Sequence, residues 1–175
     1  MESVRQILRD ERGIAVVEFA FLLPIMLMLF VGVVEVTNLL RLERKVVSSA
    51  QTTADLITQR REVSNAQLND ILLAAELIFA PYPAAAVSVG VVGVRFHPNT
   101  GAPTVDWSRS QNGGSAPNAL TVSQGLGQPG DGVVVVRVTY SYSPVFFDFI
   151  LSPMQIEETA VLRPRRSSYV EGPAS

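Results

Sequence analysis

Residues Ile14–Val34, IAVVEFAFLLPIMLMLFVGVV, form an apolar run broken by a single ionisable side chain, Glu18. As an α-helix this run is about 31 Å long, close to the hydrocarbon thickness of a bilayer. It is apolar on every side rather than along one stripe, as a helix surrounded by lipid should be. The competing reading is a removable secretory signal. Its apolar core would be about 7–15 residues, and the best small-residue cleavage pattern, Ser48-x-Ala50, lies past Arg41, Arg44 and Lys45. The flanking cations do not orient the helix, because Arg5, Arg9 and Arg12 precede it and Arg41, Arg44 and Lys45 follow it.

Composition removes several function classes. The 175 residues carry 14 Lys+Arg and 16 Asp+Glu, a formal net charge of −2, so the cation surplus that phosphate backbones demand is missing and nucleic acid is not an expected partner. The chain has no cysteine and one histidine, His97, which excludes disulfides, thiolate zinc sites, Cys nucleophiles and a multi-histidine metal site within one chain. A hydrophobic content of 47% with 17% charged residues argues against disorder over most of the length.

Glu18 is the residue least at home in the apolar run. A carboxylate near the centre of a bilayer costs about 2.5–3.5 kcal/mol on insertion scales, and less near the interface. Either Glu18 lies shallow enough to reach headgroups, or a positive partner arrives later. A cut between Gly13 and Ile14 would supply one, an α-amino group that is cationic at neutral pH, on the same chain or on an adjacent copy at the same depth. Pro24 removes an amide donor and crowds the carbonyl of Ala20, so a bend is expected there unless neighbouring groups in the membrane absorb it. Glu35 falls about 25 Å from Glu18 by helical rise and reads as a wetted boundary residue.

The string Arg12-Gly13-Ile14-Ala15-Val16-Val17-Glu18-Phe19 resembles the processing site of type IV pilin precursors, in which Gly precedes the cut and Glu is the fifth residue of the mature chain. Glu18-Phe19 followed by Ala20-Phe21-Leu22-Leu23-Pro24, and the later Gly32-Val33-Val34-Glu35-Val36, is more closely similar to the TadE-like pseudopilins of tight-adherence (Tad) pili. The resemblance covers about Arg12–Leu40, and the ending Arg163-Pro164-Arg165 also resembles the close of TadE-like domains. It implies a cytoplasmic leader over residues 1–13 and its removal by a membrane prepilin peptidase, with Gly13 admitting the enzyme by having no side chain. It further implies pairing of Glu18, beside Phe19, with a subunit N-terminus at Ile14 during assembly. The domain that follows would lie across the bacterial inner membrane. The implied partners are the peptidase, other pilin or pseudopilin subunits and the Tad assembly platform.

Beyond the membrane segment (14–40) the helical period continues, with Val47, Ala50, Ala54 and Ile57 on one face, so the helix should run on through 41–62 as a stalk. Ser64 is a suitable N-cap for a second helix whose buried face is Leu68, Ile71, Leu72, Ala75 and Ile78, stopped by Pro81 and Pro83. The period then changes. Val87–Phe96 reads as a strand with an irregularity at Gly90 or Gly93, Thr104–Ser108 as a short partner after a turn, and Gly132–Tyr142 and Met154–Leu162 as further strands. Gln111–Gly132, rich in Gly, Ser, Pro, Asn and Gln, reads as a long surface loop, and residues 167–175 as a frayed tail. The expected fold is therefore α+β: a long transmembrane and stalk helix, a second helix, and a small antiparallel sheet of three or four strands in a head domain over 63–166.

Other motifs fail on context. Gly125-x-Gly127-x-x-Gly130 matches a dinucleotide fingerprint literally, but a polar loop precedes it, Pro129 interrupts it and a strand rather than a helix follows. His97, Asp106 and Asp131 show no spacing that converges on a metal or a triad, and there is no G-x-S-x-G elbow. Tyr140, Tyr142, Phe146, Phe147 and Phe149 alternate as core and rim before they make a ligand box. No catalytic group, cofactor site or small-molecule substrate is expected. The functional reading is a structural minor pseudopilin. The alternative is an uncleaved, single-pass anchored domain that binds an envelope ligand through Gln111–Gly132.

Overall fold

A computed structural model of the chain describes residues 12–144 and 152–173. Most of the expected leader, the aromatics Phe146, Phe147 and Phe149, and the last two residues lie outside the described residues. The chain forms helix α1 (Arg12–Thr58), helix α2 (Asn65–Leu77), strand β1 (Val87–Phe96), strand β2 (Pro103–Gln111), a short helix α3 (Ala119–Ser123), strand β3 (Gly132–Tyr142) and strand β4 (Met154–Leu162). This is the expected α+β arrangement.

Helix α1 has 47 residues and passes through Pro24 as one element. Its two halves have opposite environments. From Val16 to Phe30 the large apolar side chains are exposed, whereas Leu42, Val46, Ala50, Ala54 and Ile57 are fully buried and recur every three or four residues. The stripe opens at Leu42 and continues through Val46 rather than the expected Val47, which sits half-buried at its margin. The helix stops at Thr58, a little short of the expected end near residue 62, where the Arg60 amide donates to the Ile57 carbonyl in a tighter turn.

Helix α2 starts as its sequence dictates. The Ser64 hydroxyl accepts from the Gln67 amide at 3.3 Å and the Gln67 side chain accepts from the Ser64 amide at 3.0 Å, a complete capping box. Its buried face is Leu68, Ile71, Leu72 and Ala75, as the spacing predicts. Glu76 is also buried, and its carboxylate accepts from Gln111 Nε2 and Asn112 Nδ2 at 2.6 and 2.7 Å.

The four strands form one antiparallel sheet in the order β2-β1-β3-β4. The β1–β2 register shifts between Gly93 and Val94, where a glycine-marked irregularity is expected. Strand β2 is longer than the predicted Thr104–Ser108. Its side chains are mostly exposed at a sheet edge, which leaves little hydrophobic pattern to mark its ends. One face of the sheet, carrying Val87, Val89, Val91, Val134, Val136, Val138 and Tyr140, packs with the buried faces of α1 and α2 in the main core. The other face carries a second cluster of Val92, Val94, Phe96, Val133 and Val135, closed by Ala119 of α3.

Two expectations are corrected here. Gln111–Gly132 is not simply a surface loop, because it contains α3 and lies on the second face of the sheet. A Cβ added at Gly90 would come within 2.7 Å of the Ser115 backbone, so glycine alone permits this approach. Of the expected tail 167–175, the described residues 167–173 are not frayed. The Gly132 amide donates to Ser168 O at 2.8 Å, Val170 is buried, and Glu171 pairs with Glu62 across an isolated bridge through hydrogen bonds to Arg61 O and from the Val63 amide, both 2.9 Å. Backbone hydrogen bonding and the burial of Val170 hold this polar stretch where composition alone suggests a free end.

Candidate functional site

At the membrane end of α1, Gly13 and Ile14 already belong to the helical backbone. Ile14 and Glu18 are therefore one helical turn apart, the spacing at which a new N-terminus and a carboxylate share a face. Glu18 and Phe19 are exposed, and Glu18 makes no ion pair or hydrogen bond among the described residues. Pro24 lies about three turns beyond Gly13, among the exposed apolar side chains Leu22, Leu23, Ile25 and Met26. The described helix is long and apolar enough to cross a bilayer once, and no part of its apolar stretch is covered by the head.

A second constellation, at the junction of helix and head, contradicts the reading of Glu35 as wetted. Glu35 is 3% exposed and accepts a hydrogen bond from the Tyr142 hydroxyl at the end of β3. The head closes over the helix one turn earlier than hydropathy suggests, because Tyr142 reaches down from the sheet and removes the carboxylate from water. A turn or more along, Lys45 Nζ donates to Ile78 O at 2.7 Å and Ala80 O at 3.0 Å, satisfying carbonyls at the C-terminal end of α2 with a cation of the favourable sign. Ser49 Oγ adds a bond to Ala75 O at 3.1 Å. Behind these contacts Phe79 stacks on Tyr140 with ring centroids 5.5 Å apart. The signal for Glu35 was present in the sequence, since an acid at the end of a membrane run needs a named partner. Its partner lies 107 positions away and no spacing announces it.

Burial first, and then the hydrogen bond to Glu35, push the Tyr142 phenol well above its ordinary 10.0, and burial followed by the neighbouring Tyr82 raises Tyr140 as well. A raised acid pKa means that the folded chain disfavours the phenolate. The stability this confers is complete below the unfolded value near 10.0 and is lost as pH rises towards and through the folded value. Head stability is expected to hold from neutral pH to about 10 and then fall. Tyr142→Phe should reduce the slope of that alkaline limb, leaving the share of Tyr140. Unfolding midpoints across alkaline pH check this, and an unchanged limb in the variant would refute it.

Among the described residues no group of His, Asp and Glu is arranged to hold a metal. His97 sits in the β1–β2 turn, where its Nδ1 accepts from the Asn99 amide at 3.3 Å, and the Gly125–Gly130 segment follows α3 and meets strand β3 rather than opening a helix. No curated protein and no solved structure matches the chain. Residues 13–55 match the family model described as TadE-like protein, a match that begins at Gly13 and takes in both Glu18 and the Glu35–Lys45 junction. Over residues 13–55, about a quarter of the chain, the N-terminal helix is thus similar to the TadE-like family.

Proposed function

We propose that the protein is a minor pseudopilin of a Tad-type pilus, cut after Gly13 by a prepilin peptidase, with its head on the extracytoplasmic side of the inner membrane. The observation that carries this reading is the TadE-like match over residues 13–55, on a helix whose first half is exposed and apolar and whose second half is packed beneath the head. Gly13 in the first turn of the helix favours local unwinding, because glycine in a helix is destabilising by about 0.5–1 kcal/mol relative to alanine and helix ends fray readily. After the cut, the ammonium of Ile14 and the carboxylate of Glu18 offset each other's burial, within one chain or between neighbours in a bundle. The other subunits and the assembly platform are the partners of this surface.

The packing of Gln111–Gly132 onto the sheet weighs against its use as a free contact loop in an anchored binding domain. Intact mass and N-terminal peptide mapping of the protein from its native membrane test the proposal. The expected mature chain starts at Ile14, and Glu18→Ala is expected to be processed yet lost from the pilus complex. A chain that retains Arg5–Gly13 would replace this reading with the anchored domain, and normal incorporation of Glu18→Ala would remove the role assigned to the carboxylate.

A further inference from the structure

Where α1 ends, three guanidinium groups from opposite ends of the chain share one open groove of about 630 Å³, lined by Gln59, Arg60, Arg61, Glu62, Gln67 and Arg166. Neighbouring cations are accounted for: Arg165 pairs with Asp55 at 2.7 Å and Arg163 donates to Leu126 O. Arg60, Arg61 and Arg166 are exposed and have no ion-pair partner among the described residues. Three cations against the one carboxylate of Glu62 leave the groove with two net positive charges, on a chain whose total is −2. Gathering unpaired like charges opposes folding by self-repulsion, so the cluster is not explained by stability.

The groove is also held in shape by the backbone. The Arg60 amide bonds to Ile57 O, Arg61 O accepts from the Glu171 amide at 2.9 Å, and the Arg165 amide bonds to Thr58 O at 3.1 Å, fixing the segment that bears Arg166 against the helix end. Such a cradle loses less conformational freedom on binding than three independent side chains would.

We propose that this groove docks an acidic peptide segment of a second protein, through its carboxylates. Planar guanidinium forks match carboxylates in bidentate geometry, and Gln59 Oε1 and Gln67 Nε2, the atoms left over from the bonds to Asp55 and Ser64, can meet a peptide backbone. Two net charges suit a pair of carboxylates. A phosphate polymer, charged at every unit, would run on into Glu62 and Glu171, which line the adjoining groove. Thr58 stands about 36 Å beyond Val34 by helical rise, so headgroups of the membrane that holds α1 are out of reach.

The test uses the full chain in neutral detergent micelles and a short fluorescent peptide carrying two glutamates between neutral residues, with binding read by anisotropy. Binding is expected at low salt and should weaken as salt rises. The Arg60→Gln/Arg61→Gln/Arg166→Gln triple variant should bind about tenfold more weakly. Glu62→Gln, which removes the opposing carboxylate, should bind about twofold to threefold more tightly, and this gain remains readable if the triple variant fails to fold. Arg41→Gln/Arg44→Gln, at the other end of the stalk, should bind like the parent. Equal binding by the parent and a folded triple variant, an equal loss in the Arg41/Arg44 variant, no effect of Glu62→Gln, or capture of polyphosphate in place of the two-glutamate peptide would each overturn the proposal.

Discussion

Phe79→Ala is expected to lower the unfolding free energy of the head by about 3–5 kcal/mol, the usual cost of emptying a fully buried aromatic site. Phe79 has no exposed surface, and its ring lies against Tyr140, which Tyr82 meets edge-on at 6.3 Å. The site follows directly on α2, so its walls are a helix end and the sheet, neither of which can move in to fill the space without breaking backbone hydrogen bonds. Chemical unfolding of the detergent-solubilised full chain, followed through the fluorescence of its one tryptophan, measures the loss. Phe79→Leu keeps most of the volume and should cost well under half as much. A loss below about 1 kcal/mol for the alanine variant would mean that the site collapses, and that Phe79 does not anchor the junction of α2 with the sheet.

Trp107→Ala should cost a similar 3–5 kcal/mol, with a more local signature. Trp107 is the one buried side chain of the otherwise exposed strand β2, and its indole lies against Gly93 on one side and Gly172 on the other, where no Cβ would fit. Its Nε1 donates to Val170 O at 3.0 Å. Removing the indole takes away both the surface and the donor that hold the C-terminal segment. Hydrogen exchange at the Gly132 and Glu171 amides, which bond to Ser168 and Arg61, should therefore accelerate more than exchange in the centre of β1 and β3. Trp107→Phe isolates the hydrogen bond and should cost about 0.5–1.5 kcal/mol beyond the difference in ring size. Uniform acceleration across the sheet would show that the C-terminal segment is not a separate dependent of Trp107.

Much of this architecture is legible in the sequence because its signals are local. The Ser64–Gln67 capping box, the spacing of Leu68, Leu72 and Ala75, and the length of the Ile14–Val34 run each act within a few turns of chain. The misread features depend on partners distant in sequence. Tyr142 buries Glu35, Trp107 and the Glu62–Glu171 bridge hold the C-terminal segment, and Gly90, against the Ser115 backbone, and Gly114, against the Val89 backbone, let a polar stretch lie flat on β1. One clue to the last was available: Val133–Val136 is an unbroken apolar run, as expected of a strand covered on both faces rather than one. The Gly13–Glu18 spacing stands apart, since it is evident in the sequence but its proposed use calls on a peptidase and neighbouring subunits.

The buried stripe of α1 from Leu42 to Ile57 also bears on how the molecule carries tension. That contact extends over about 22 Å of helix. Lys45 and Ser49 tie it to α2, and the Thr58 carbonyl ties it to Arg165. A pull along the helix axis therefore loads all of these contacts together, as in a lap joint, rather than opening them one after another. The head and the membrane anchor would part only when the whole interface slides at once, so the junction resists an axial load better than its individual contacts suggest.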